Sequence, residues 1–196
     1  SLELFTAMRD LEKVCEHLHL PVQSGSSRIL KLMNRIYTCD DYLRKIDSLR
    51  KIVKDCAVTT DIIVGFPSEN EKDFNETVKL MREVGFDNAF IFKYSTRKGT
   101  KAALLKDDVE DEIKQQRNQI LLKLQGDISR KKNEALIGKT LEVLIEGANK
   151  KNKAEFIGHT GQAKLAVFEK DNKSLGDIVN IKITSCTGHT LRGEIE

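Results

Sequence analysis

The 196-residue sequence has no uninterrupted apolar run long enough to cross a bilayer, and its start, Ser1-Leu2-Glu3-Leu4-Phe5, has neither a basic beginning nor a cleavage-site pattern. No membrane association is expected, and the cytoplasm is the expected location. Paired cysteines are also missing. The four present, Cys15, Cys39, Cys56 and Cys186, lie far apart and form no CxxC or CxxxCxxC group, so no metal or iron–sulfur site is expected among these residues. Each reads as a buried or incidental thiol of a reducing compartment. No charge dominates either: 33 basic side chains against 30 acidic ones leave a formal net charge of +3, a field too weak to point to nucleic acid by itself. What the chain does have is 39% hydrophobic residues, ample for a packed core in one large domain or two small ones.

The first two thirds read as βα units. Leu4, Met8, Leu11 and Val14 recur at helical spacing and predict an opening helix, followed by a strand over Leu18 to Val22. Along that strand Leu18, Leu20 and Val22 face a helix layer, while His17, His19 and Gln23 face a lumen or cleft. A short helix from Ser26 or Ser27 to about Asn34 is expected next. Thr38 caps a further helix whose buried stripe is Tyr42, Ile46, Leu49 and Val53. Ala57 to Val64 reads as a strand buried on both faces except at Thr59 and Asp61. Ser68-Glu69-Asn70-Glu71 has a capping-box pattern, Phe74, Val78 and Met81 form an apolar face, and Gly85 suits the helix stop. Asn88 to Tyr94 is a third strand. A long helix through Ile113, Ile120, Leu124 and Ile128 then runs toward Glu134 as a bridge between domains.

From about Ala135 the periodicity changes from helical to alternating. Short strands are expected at Thr140 to Glu146, Glu155 to His159, Lys164 to Phe168, Asp177 to Thr184 and Thr190 to Glu194, which implies a small closed or nearly closed barrel. The expected domains are therefore 1–134 and 135–196. Three parallel strands alone would leave two open sheet edges, so the α/β part is expected to begin partway through a larger barrel, and self-association through those edges is expected.

Three polar clusters follow the three parallel strands, at the end where α/β folds build ligand sites. Gln23-Ser24-Gly25-Ser26 offers donors and acceptors for a ribose or carboxylate, and Gly25 would let backbone approach a bound group. A simple capped loop explains that segment equally well, and only the recurrence of such clusters favours a ligand. Asp61 with Gly65 would present an acid and an unobstructed backbone to a flat ring, although Pro67 is better explained as part of a turn. Tyr94 to Thr100 places Arg97 and Lys98 where an anion could be held, or forms a solvated basic loop. His17 and His19 fit hydrogen-bonded structural residues better than ligands. In the terminal barrel, Lys150, Lys151, Lys153, His159, Lys164 and Arg192 are candidate RNA contacts, with nearby acids nearly balancing the charge.

The ordered segments His19-Leu20-Pro21-Val22-Gln23-Ser24-Gly25-Ser26, Leu32 to Thr38, Thr60 to Pro67 and Tyr94-Ser95 to Gly99-Thr100 resemble the radical SAM methylthiotransferases, and the Pro-Val-Gln-Ser-Gly-Ser and Met-Asn-Arg forms resemble the MiaB type. Ala135 to Glu196 resembles the TRAM domain that closes these proteins. The resemblance implies the C-terminal half of a partial (βα) radical SAM barrel followed by a small all-β TRAM barrel. It also implies an enzyme that converts N6-isopentenyladenosine in tRNA to its 2-methylthio derivative with S-adenosylmethionine and two [4Fe-4S] clusters, whose cysteine ligands are absent here. The segment alone would be inactive. Close alternatives are a relative acting on threonylcarbamoyl-adenosine or on a ribosomal protein, and a stand-alone RNA-binding module is a further one. By resemblance, Gln23 and Ser24 contact ribose or methionine, Asp61, Ile63 and Gly65 form the wall beside the adenine or sulfur, and Arg97 contacts an anion. The sequence departs from the family at Ser68-Glu69-Asn70, at Thr96 and Lys98, and at His159, where an arginine is usual.

Overall fold

The computed structural model describes residues Ser1–Glu196. Helix α1 (Leu2–Asp10) leads to strand β1 (His17–His19), helices α2 (Ser27–Leu32) and α3 (Cys39–Ile52), strand β2 (Ala57–Val64), helix α4 (Glu71–Val84) and strand β3 (Asn88–Lys93). A 3₁₀ turn (Lys101–Leu104) precedes the long helix α5 (Asp111–Glu134), and five strands follow: β4 (Thr140–Ala148), β5 (Glu155–Thr160), β6 (Leu165–Glu169), β7 (Ile178–Cys186) and β8 (Thr190–Ile195).

The first three strands form a parallel sheet in the order β1-β2-β3, with His17 beside Ala57 and Thr59 beside Asn88. β1 is shorter than the alternation predicts. Pro21 has no N–H to give to the ladder, and Val22 N donates instead to the Thr60 hydroxyl at 2.9 Å. Pairing resumes at Gln23, whose N–H reaches Asp61 O at 2.8 Å and whose carbonyl accepts from Ile63 N at 2.9 Å. Helices cover one face of the sheet. There Val58, Ile62 and Val64 pack with Ile46, Leu49, Leu80, Met81 and Phe86 in one buried cluster. The other face is open, with Phe90 and Phe92 49% and 53% exposed.

Local chemistry accounts for most helix ends. Thr38 and Asp41 form a reciprocal capping box at α3. At α4 the box is Asn70 with Asp73, not the pattern beginning at Ser68. This shift releases Glu69 from capping and sends it into the interior, where it is 5% exposed. Gly85 closes α4 in the left-handed conformation that its sequence position suggests. One helical face differs from expectation, and another is unusually polar. α1 buries Phe5 and Met8, while Leu4, Leu11 and Val14 are exposed. α5 turns Ile113 and Ile120 outward and buries Lys114, Arg117, Leu121, Leu124, Gln125, Ser129 and Asn133. Polar groups occupy this face because it lies against strand ends, whose carbonyls and carboxylates need partners. Gln125 Nε2 donates to Phe86 O at 2.9 Å, and Asn118 Nδ2 donates to Ile91 O at 3.0 Å.

β4 to β8 close into a barrel in the order β4-β5-β6-β8-β7, with β6 and β8 parallel and the other neighbours antiparallel. Its interior holds Val143, Ile145, Phe168, Ile181, Ile183 and Leu191, a core separate from that of the sheet. A polar latch joins the two. Lys164 Nζ, on the barrel, donates to Asp87 Oδ1 at 3.2 Å and Asn133 Oδ1 at 3.0 Å. Lys132 Nζ holds the other Asp87 oxygen at 2.7 Å, and Asn133 Nδ2 donates to Thr187 O at 2.9 Å. Gln162 Nε2 adds a bond to Asp55 O at 3.1 Å. Glu16, Asp55 and Asp87 all immediately precede or lie just before a strand of the sheet, so the barrel sits at the amino ends of the strands.

Burial alone would raise the Asp87 carboxyl, but the ammonium groups of Lys132 and Lys164 and the Val58 N–H hold it below its usual value of 3.8. A carboxyl lowered in the folded state contributes stability above its unfolded pKa and loses that contribution as pH falls through the folded one. Asp87→Asn is expected to lower stability at neutral pH and to flatten the acid limb below pH about 4, as read from denaturant midpoints measured across pH.

Candidate functional site

A cavity of about 710 Å³ opens at the carboxyl ends of β1, β2 and β3, on the side away from the barrel. Gln23, Asp61, Ile63 and Phe66 form its sheet-side wall, and the segment after β3 closes the opposite side. Four cations reach it, Arg35, Lys93, Arg97 and Lys101, against the single carboxylate of Asp61. The arrangement favours a ligand with anionic groups and an apolar ring to lie against Ile63, Phe66 and Phe92.

Gln23 is 8% exposed and holds φ at 71°, a left-handed conformation that is costly for a residue with a side chain. Its two backbone bonds to β2 enforce that conformation and fix it at the cleft wall. A second polar line runs up the open face. His17 Nε2 and His19 Nδ1 each lie 3.0 Å from Thr59 Oγ1, and His19 Nε2 is 3.5 Å from Asp61 Oδ1. Burial, reinforced by the neighbouring His19, lowers the His17 pKa, which favours the neutral ring.

Of the six cofactor candidates, Gln23, Asp61, Ile63 and Arg97 line this cleft, and Ser24 and Gly65 do not. Ser24 is fully buried. Its hydroxyl accepts from Ser26 N at 3.1 Å and lies 3.4 Å from Thr77 Oγ1. Gly25 is needed for close approach, but to helix α4 and not to a ligand, since a Cβ there would stand 2.5 Å from Glu76 O and from Thr77 Cα. At Gly65, with φ 69°, the space that a side chain would fill is taken by the stem of Lys114, whose Cγ would lie 2.2 Å from an added Cβ. Lys114 Nζ continues to Asp107 Oδ2 at 2.6 Å.

The supporting layer contains residues that sequence reasoning missed. Gly65 N donates to Glu69 Oε1 at 2.9 Å, and Arg117 Nη1 donates to that same oxygen at 2.8 Å and to Glu69 O at 3.1 Å. The side chains of Glu69 and Arg117 are 2% and 8% exposed. Burial raises the Glu69 pKa, and the Gly65 N–H and Arg117 pull it back in part. Arg117 also lies over the Phe74 ring, 5.4 Å from its centroid. The signal for this pair was the regular spacing of polar residues along α5, which reads as a solvated face until the fold places it inward.

The barrel candidates divide. Lys150, Lys151 and Lys153 are exposed on the β4–β5 turn. His159 Nδ1 bonds Glu146 Oε2 at 2.8 Å, and Arg192 Nη1 bonds Glu155 Oε1 at 2.9 Å. The Arg192 and Asn149 hydrogen bonds lower the Glu155 pKa. Lys164 differs from the others: its side chain is only 12% exposed and is engaged in the latch, where it shares the Asp87 carboxylate with Lys132.

No three His, Cys, Asp or Glu side chains come together as a metal site. The thiols stay apart, and burial pushes that of Cys56 up to about 11, which disfavours the thiolate a cluster needs. The residues present thus do not fit an iron–sulfur cluster.

Two domain families match this chain. Residues 2–81 match the radical SAM superfamily and residues 134–195 match the TRAM domain. Coproporphyrinogen III oxidase from Escherichia coli, titled a radical SAM enzyme, shares the fold with a TM-score of 0.55 at 15% identity, over 82% of this chain and 42% of that one. The fold and the cleft thus define a radical SAM protein carrying a TRAM barrel. Over 98% of its length the chain is 49% identical to the tRNA-2-methylthio-N(6)-dimethylallyladenosine synthase of Acetivibrio thermocellus and 50% identical to that of Caldicellulosiruptor saccharolyticus. The synthase of Phocaeicola vulgatus is 46% identical over the same share. The chain belongs to the radical SAM methylthiotransferase family, MiaB type, and spans about 40% of the length of these relatives.

Arg117→Ala leaves the Glu69 carboxylate buried without its cation. It is expected to cost about 3–5 kcal/mol in urea unfolding. Replacing both partners, Glu69→Leu with Arg117→Met, is expected to recover most of that loss.

Proposed function

We propose that this chain is the part of a tRNA methylthiotransferase that supplies one wall of the cofactor site and the RNA-binding barrel. The reaction is the conversion of N6-isopentenyladenosine in tRNA to its 2-methylthio derivative. The observation that carries this reading is near-50% identity, along almost the whole chain, to relatives named for that synthesis. The division of labour follows residues 1–134 for the cleft and 135–196 for the barrel. The cytoplasm, where tRNA is modified, is the compartment that fits.

In this reading S-adenosylmethionine occupies the cleft. When bound, it supplies both the radical that activates the substrate and the methyl group. Gln23 offers its amide to the ribose, Ile63 and Phe66 provide apolar surface for the adenine, and Arg97 faces the carboxylate. Asp61 gives the sulfonium or a hydroxyl its only nearby carboxylate. Ser24 and Gly65 act behind the wall: Ser24 braces the Gln23 turn, and Gly65 admits Lys114. The two [4Fe-4S] clusters would be held by residues other than these 196, so the chain alone is expected to show no turnover. Lys150, Lys151, Lys153 and Arg192 are the barrel residues whose exposure suits RNA phosphates.

The test joins this chain to the upstream sequence of its own protein, reconstitutes the clusters and assays isopentenylated tRNA by mass spectrometry of the nucleosides. The expected product is the 2-methylthio derivative. Product only on threonylcarbamoyl-adenosine, or only on a ribosomal protein, would move the assignment to that relative. Arg97→Ala removes a charge-assisted contact of about 1.5–3 kcal/mol and is expected to weaken S-adenosylmethionine binding about tenfold or more.

A further inference from the structure

A second concave region lies at the opposite end of the sheet, between the amino ends of β2 and β3 and the seated barrel. It encloses about 630 Å³. Arg50, Lys54, Lys132, Lys139 and Lys164 line it, against the carboxylates of Asp55 and Asp87. Asp87 is already engaged by Lys132, Lys164 and the Val58 N–H, at 2.7, 3.2 and 3.0 Å. Lys54 and Lys139 are exposed, and neither ammonium takes part in an ion pair. Five cations against two carboxylates thus leave the groove with an excess of positive charge.

We propose that this interdomain groove binds the phosphodiester backbone of the substrate RNA, at a position remote from the modified base. The proposal rests on the tRNA-directed reading above. Lys54 follows α3, whereas Lys139 lies between α5 and β4. The two cations face one recess only because the latch seats the barrel there, so the site is a product of domain docking. Its less polar lining is limited to Cys56, Leu136 and Leu141, which gives an acidic peptide few anchors. Those residues do lower the local dielectric and concentrate the field of the cations. The one amide in the lining, Gln162, spends its Nε2 on Asp55 O at 3.1 Å, and no aromatic ring lines the groove. Cations without stacking partners contact phosphates and position a nucleic acid without reading its sequence.

The measurement is binding of the 196-residue chain to an unmodified tRNA transcript by fluorescence anisotropy, from 50 to 200 mM salt. Lys54→Ala with Lys139→Ala should release two fewer counterions. The expected result is Kd raised about tenfold at the low-salt end and a log–log salt slope shallower by about 2. The thermal midpoint should not move, since both side chains are exposed. Wild-type affinity and slope in the double variant would overturn the groove while leaving RNA binding by the chain intact. Absence of tRNA binding by the unaltered chain would remove both. Inorganic pyrophosphate serves as a small-anion probe. If calorimetry shows that it binds in a Lys54- and Lys139-dependent way while RNA affinity ignores both residues, the groove is a small-anion site and the proposal fails.

Discussion

Helix α5 is the constraint on which the two halves of this molecule depend, because its inward face is polar where a helix of this length would ordinarily bury a hydrocarbon stripe. Along one line it presents Lys114 and Arg117 to the carboxyl end of β2, Gln125 and Ser129 to the turn before β3, and Asn133 to the barrel. Leu121 and Leu124 seat its middle in the sheet core. Buried amide, hydroxyl and guanidinium groups are directional, so the helix is fixed in register as well as in position. A purely apolar face would permit sliding by a turn at smaller cost. The unpartnered Arg117 Nε and Gln125 Oε1 are the two places where this accounting does not close.

Two cores with few apolar contacts between them explain why the junction is ionic. The sheet core and the barrel core are each complete, and the surfaces that meet are the amino ends of parallel strands and a barrel edge. Both carry backbone groups that need partners, and Asp87 provides the meeting point for two lysines from different elements. Charge left over from this arrangement, rather than any addition to it, is what gives the groove its sign.

Elements whose local chemistry is self-contained were legible in the sequence. The stripe of Tyr42, Ile46, Leu49 and Val53, the Thr38 cap, the Gly85 stop and the alternating strands of the barrel all follow from spacing within a few residues. Half-exposed Thr59 and Asp61 within β2 were equally visible as breaks in an apolar run. The misreading of the α4 start has a tertiary cause. Glu69 was taken into a cap because the partner that decides its place, Arg117, lies far along the chain. Gly25 and Gly65 stood out in the sequence as places where a bound group could approach the backbone. What presses on them, helix α4 and the Lys114 stem, is a tertiary fact.

The barrel is seated at the amino ends of the strands, while the cleft opens at their carboxyl ends. β2 has eight residues between those ends, a separation of roughly 25 Å at about 3.3 Å per residue. A free nucleoside resting in the cleft could never feel the barrel. Only a molecule long enough to run the height of the sheet can touch both, so the strand length sets the reach that any shared ligand needs.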